Sequence, residues 1–195
     1  LVNVVISSLG VPLIYLVVRL FFSGKAIPIL ASMAWAFYPP SIWYSGWLLT
    51  ETLSSVLVIG SALSLCLLRE HGGQKYALFT GFLLGMLAIN RSIYILLPIL
   101  VLGAYMLVEI VNRQRGFHFP SVARNCSLVI CSFSLVLSPW VLHNFLLLHQ
   151  FVPHSTQGGY VMMISNAYLQ NPEIQSGKYI KDSRLIELVE AQNPR

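Results

Sequence analysis

Two charged residues stand where this chain has little reason to keep charge. Glu51 lies in YPPSIWYSGWLLTETL and Arg91 in MLAINRSIYILLP, each set in apolar sequence. A charge at the centre of a bilayer costs about 2.5–3.5 kcal/mol on insertion scales, so one kept near membrane depth needs a partner, an interface or a task. A carboxylate that opens a helix is favoured by the positive end of the helix dipole, and Thr50 just before Glu51 is a candidate cap. The same carboxylate can accept a proton or a hydrogen bond in an outward-facing site. The guanidinium of Arg91 matches a phosphate or a carboxylate through paired N–H donors. It therefore calls for a partner such as Glu51 or a lipid phosphate, or else snorkels to the interface.

A third stretch, SPWVLHNFLLLHQFVPHSTQGGYVMMISN, runs from Ser138 to Asn166. Pro139 is expected to kink a helix there, His143 and Asn144 follow a turn later, and Pro153 to Gly159 form an outer turn. His143, His149 and His154 fall on or near one side, but their spacings of 6 and 5 match no ligand signature. A lone interfacial histidine is more often a hydrogen-bonding surface group. No Walker loop, dinucleotide glycine fingerprint, Gly-x-Ser-x-Gly elbow or paired-cysteine zinc motif is present.

The elements that must position these groups follow from composition. Of 195 residues, 56% are hydrophobic and 10% charged, against roughly a quarter charged in soluble domains. The mean hydropathy is +0.71. Uncharged stretches recur along the chain, so the reading is an all-α polytopic membrane protein. Disorder and nucleic-acid binding are excluded, and Cys66, Cys126 and Cys131 are too few, and too apolar in setting, for a disulfide-stapled module. The net charge of +5 is then a topology signal.

Six transmembrane segments are expected, at 1–22, 26–44, 53–68, 76–90, 92–111 and 126–148, the third and fourth short enough to borrow flanking residues. Pro39 and Pro40 should break the second, and Trp43, Tyr44 and Trp47 form an aromatic belt. Arg19, Lys25, Arg69, Lys75, Arg113, Arg115 and Arg124 fall in alternate connections, which the positive-inside rule makes cytoplasmic. Glu51 and Arg91 then face outward, and residues 149–195 form an extracytoplasmic tail or the start of an outer soluble region. Within that tail, Ser183 to Gln192 has the spacing of a short amphipathic helix. Gly81 and Gly85, in GFLLG, are a small-xxx-small pair that lets a second helix approach closely. Leu1 is not Met and already lies in an apolar run, so the chain is expected to be a piece of a longer protein.

Taken in order, LLTETL, GFLLGMLAINRSIYILLP and the Pro-Trp stretch with its Gly158–Gly159 loop resemble the GT-C-fold integral-membrane glycosyltransferases. The likeness is to the bacterial proteins related to protein O-mannosyltransferases and the lipid A aminoarabinose transferase, over about residues 1–166. That resemblance implies a GT-C-like bundle fragment in a bacterial inner (plasma) membrane with its site facing outward. It implies transfer of a sugar, with inversion, from a polyprenyl-phosphate donor to a glycan, lipid or protein acceptor. Residue by residue, it implies that Glu51 is a supporting acid, that Arg91, His143 and Asn144 bind the donor phosphate, and that Gly158 and Gly159 belong to a substrate loop. Membrane lipids are implied partners and nucleic acid is not. No cofactor is certain, and use of a divalent metal is left open. Ser92 stands where the family has Pro, and His143 where it has Arg, which removes a permanent cation. The family's general base lies in an outer loop between its first two helices. No such loop is present, so the base is expected upstream of Leu1 and this piece is expected to be inactive alone. The alternative is a secondary transporter or lipid-linked-sugar flippase, with its charges lining a path near the midplane. A scaffold whose polar groups only cap and snorkel is the blandest option. On the enzyme reading, Glu51, Arg91 and His143 should converge on one side.

Overall fold

In the computed structural model, residues 2–45, 50–111, 119–149 and 151 are described, and among them every regular element is helical. Helix α1 spans Val2–Phe21, α2 Ala26–Ala36, α3 Pro39–Ser45, α4 Thr50–His71 and α5 Gln74–Asn90. A 3₁₀ turn, Ser92–Leu96, leads into α6, Leu97–Val111, and α7 is Phe119–Leu148. Val2–Phe21, Thr50–His71, Ser92–Val111 and Pro120–Leu147 are each long and apolar enough to cross a membrane. The second expected segment is divided. Pro39 and Pro40 supply no N–H donors and α2 stops at Ala36, so its 11 residues reach only about 17 Å at 1.5 Å per residue. The other helix-starting prolines, Pro28, Pro98 and Pro120, lie in first turns, where a missing donor costs nothing.

Two boundaries differ from the sequence reading. Helix α4 begins at Thr50 and runs to His71, because Thr50, Glu51, Arg69 and Glu70 extend the helix past its apolar run. Helix α7 begins at Phe119, so Arg124 lies in its second turn and not in the preceding connection. With 30 residues, α7 is about 45 Å long, well over the roughly 30 Å of hydrocarbon, which leaves its polar first turns room outside. The helix continues through Pro139. It closes on His149 in the left-handed region (φ 52°), whose N–H bonds the Phe145 carbonyl at 2.9 Å.

The bundle is held along α5. A Cβ placed on Gly81 would strike the Val129 carbonyl oxygen and lie 2.8 Å from Ser132 Cβ, and one on Gly85 would lie 2.7 Å from Val136 Cβ. Only glycine lets α7 come this near. Advancing from Gly81 to Gly85 advances the contact from Ser132 to Val136, so α5 and α7 run parallel. On another side, α5 meets α4 across buried hydroxyls: Ser64 Oγ and Thr80 Oγ1 are 2.8 Å apart, and Thr80 donates to the Tyr76 carbonyl at 2.8 Å. Each hydroxyl is satisfied within the protein, as hydrocarbon surroundings require. Leu68, Ala77, Leu84, Leu102, Tyr105 and Val129 form the core. Outside it, large apolar side chains such as Leu100, Val111 and Leu135 are exposed at 70% or more, a surface compatible with lipid surroundings.

Candidate functional site

The α4–α5 hairpin carries both anomalous charges to one end. Helix α4 presents Glu51 in its first turn, and α5 ends at Asn90 with the Arg91 N–H bonded to the Leu87 carbonyl at 3.0 Å. Arg91 itself is extended (φ −148°, ψ 126°). Its side chain therefore leaves the helix and turns across to α4, where Nη1 donates to Glu51 Oε1 at 3.0 Å. The side chains are 41% and 32% exposed, and a pair so exposed contributes about 1 kcal/mol or less to folding. The other carboxylate oxygen, Glu51 Oε2, is buried and has no hydrogen-bond partner among the described residues. A buried acceptor left open costs about 1–3 kcal/mol more than a satisfied one.

That open oxygen belongs to a residue on the wall of a cavity of about 250 Å³. Glu51, Arg91, Trp35, Tyr38, Tyr44 and Tyr94 are among its lining residues. Ser7 Oγ and Ser41 Oγ, 3.1 Å apart, join α1 to α3 at its edge, while Thr52 Oγ1 donates to the Tyr44 carbonyl at 3.3 Å and ties α3 to α4. One anion, one cation, aromatic faces and hydroxyls suit a small, hydroxyl-rich or anionic group. They suit a divalent metal poorly, since Glu51, the one carboxylate among the described lining residues, is already paired with a guanidinium. Among the described residues no group of three His, Cys, Asp or Glu side chains could hold a metal.

A second hollow, of about 350 Å³ and almost wholly apolar, lies between α1 and α2, lined by Val11, Pro12, Tyr15, Ile29, Met33 and Ala36 among others. On α1 it begins one turn beyond Ser7, and on α2 it runs from Ala36, two residues before Tyr38, back to Ile29. The same pair of helices thus offers a polar site at its end and an apolar groove deeper in the span.

Of the residues singled out in the sequence, Glu51 and Arg91 meet. His143 and Asn144 do not join them. His143 is exposed on α7 with its ring 6.2 Å from that of Trp140, Asn144 is half-buried, and neither lines the cavity. The parallel course of α5 and α7 puts His143 at the same end of the bundle as Arg91. It stands apart because α7 packs on α5 and has no substantial contact with α4. Gly158, Gly159, His154 and the tail lie outside the described residues.

Sequence reasoning passed over Asn90. Its Nδ2 donates to Ser54 Oγ at 2.7 Å and to the Thr50 carbonyl at 3.0 Å. The signal was there, an amide at the end of an apolar helix beside the anomalous Arg91. Tyr38, Tyr94 and Trp35 carried no local sign, since only the folded bundle brings them to one wall. Comparisons of the chain with protein-family models, curated proteins and solved structures find no match.

Proposed function

We propose that this chain is the membrane part of a glycosyltransferase that takes a sugar from a polyprenyl-phosphate donor and passes it to a glycan, lipid or protein acceptor outside a bacterial plasma membrane. The observation that carries the proposal is the Glu51–Arg91 pair on the wall of a polar cavity, with an apolar groove deeper along α1 and α2. An amphiphile needs both, a charged site for its head and an apolar surface for its chain. In this reading α2 with α3, and α5, complete six spans, and the positive-inside pattern turns the Glu51–Arg91 end outward. Arg91 neutralises the departing phosphate, where a charge-assisted hydrogen bond acts in the transition state. Glu51 Oε2 takes a hydrogen bond from a sugar or acceptor hydroxyl, as a supporting acid and not the main base.

Binding is the first test, because it needs Arg91 and not the general base. Polyprenyl phosphate is titrated into the protein in nanodiscs. Arg91→Ala is expected to weaken binding roughly 10- to 100-fold, the loss of about 1.5–3 kcal/mol carried by a charged hydrogen bond. Unchanged affinity overturns the reading. Movement of a lipid-linked sugar across proteoliposomes, with no transfer by the full-length protein, would favour the flippase instead.

A further inference from the structure

The two helix ends that carry the ion pair are joined by more than the pair. Asn90 reaches across 36 residues to Ser54 Oγ (2.7 Å) and across 40 to the carbonyl of Thr50 (3.0 Å). Thr50 and Asn90 immediately precede Glu51 and Arg91 in the chain. Ser54 is 3% exposed and itself donates to the Thr50 carbonyl at 2.9 Å, so the contact closes a small network at the first turn of α4. We infer that Asn90 is a positioning residue for the cavity: its amide fixes the end of α5 against the start of α4 and so holds Arg91 on Glu51.

The physical reason is that the ion pair by itself is a weak tether between these two helix ends. Past Asn90 the backbone leaves α-geometry, Arg91 is extended and a 3₁₀ turn follows. A long guanidinium side chain on such a segment has several rotamers to lose, and a single 3.0 Å contact 41% exposed to its surroundings holds it weakly. The amide network sets the relative height of the two chain segments before the charges meet. An amide suits the task because both of its N–H groups can donate, and the two acceptors, a hydroxyl and a carbonyl, face it from one turn of α4. This inference stands whether or not the cavity receives a lipid-linked sugar, since it concerns the pair itself.

The molecule carries its own control. Arg69 is also 41% exposed and also meets one carboxylate, Glu109, at 3.4 Å. In the full chain in detergent micelles, arginines are modified with phenylglyoxal and the rate at each site is read by mass spectrometry. Asn90→Leu keeps the volume and removes the amide. Modification of Arg91 is expected to rise roughly fivefold, the factor that about 1 kcal/mol of lost restraint sets on the paired and unpaired states, while Arg69 keeps its rate. No change at Arg91 overturns the inference, and so does an equal rise at both arginines, which would report general loosening. If Asn90→Leu fails to fold, Ser54→Ala removes only the hydroxyl acceptor. It should give a smaller rise confined to Arg91, and its absence overturns the inference equally.

Discussion

Helix α5 has two halves with opposite demands on space. In its middle, Gly81 and Gly85 let α7 approach until a methyl group would strike its backbone or Val136. At its end, Asn90 and Arg91 reach across to α4 beside a cavity of about 250 Å³ and leave a carboxylate oxygen open. The middle is close-packed for stability, whereas the end keeps an unsatisfied acceptor that packing alone would not retain. The two ion pairs make the same point. Arg69–Glu109 and Arg91–Glu51 have equally exposed arginines, but of these four residues only Glu51 and Arg91 line that cavity. Charge in a membrane helix marks a candidate, and concavity around the charge makes it a site.

The sharpest way to break this contrast is at the seam. Gly81→Val should cost at least about 3 kcal/mol, enough to prevent a stable fold, because its side chain meets backbone that cannot yield. A melting temperature in detergent near that of the parent would refute the close α5–α7 contact. Next in size, if the proposed sugar transfer is the protein's activity, Arg91→Ala should lower its turnover in the full-length protein about 100-fold, as loss of one charge-stabilising donor does, while thermal unfolding barely moves. If stability falls as far as activity, the end of α5 is structural like its middle.

Smaller effects sharpen the comparison from the other side. Arg69→Ala should cost about 1 kcal/mol or less and leave the affinity for polyprenyl phosphate unchanged, since neither Arg69 nor its partner Glu109 is among the residues lining the cavity of Glu51 and Arg91. A binding defect as large as that of Arg91→Ala would make the two pairs equivalent. Smallest of all, Gly103 on α6 has open space around its Cβ position, so Gly103→Ala should raise stability by roughly 0.5–1 kcal/mol through helix propensity. A lower melting temperature there would mean that a neighbour covers α6 at that point.

Much of the architecture was legible because hydrocarbon is a strict solvent. Apolar runs had to become helices, Pro39 and Pro40 had to interrupt one, and the small residues Gly81 and Gly85 had to face another helix. Less legible were the helix ends. Arg124 falls inside α7, and α4 extends through Arg69 and Glu70, since helices run past the apolar run wherever polar side chains can reach water. His143 lies at the same end of the bundle as Arg91, but its distance from the cavity depended on which neighbour α7 packs against.

The sequence alone determined that the chain is helical, apolar and marked by two charges, Glu51 and Arg91, that its patterning does not explain. Those are properties of composition and period, which the solvent reads residue by residue. Only the tertiary structure decided that the two charges meet, that Asn90 braces them from the neighbouring position, and that Trp35, Tyr38 and Tyr94 share their wall. The ion pair joins residues 40 positions apart and the shared wall residues farther still, and no local pattern encodes them. They follow from how α4 and α5 fold back on each other and which side chains that register brings level.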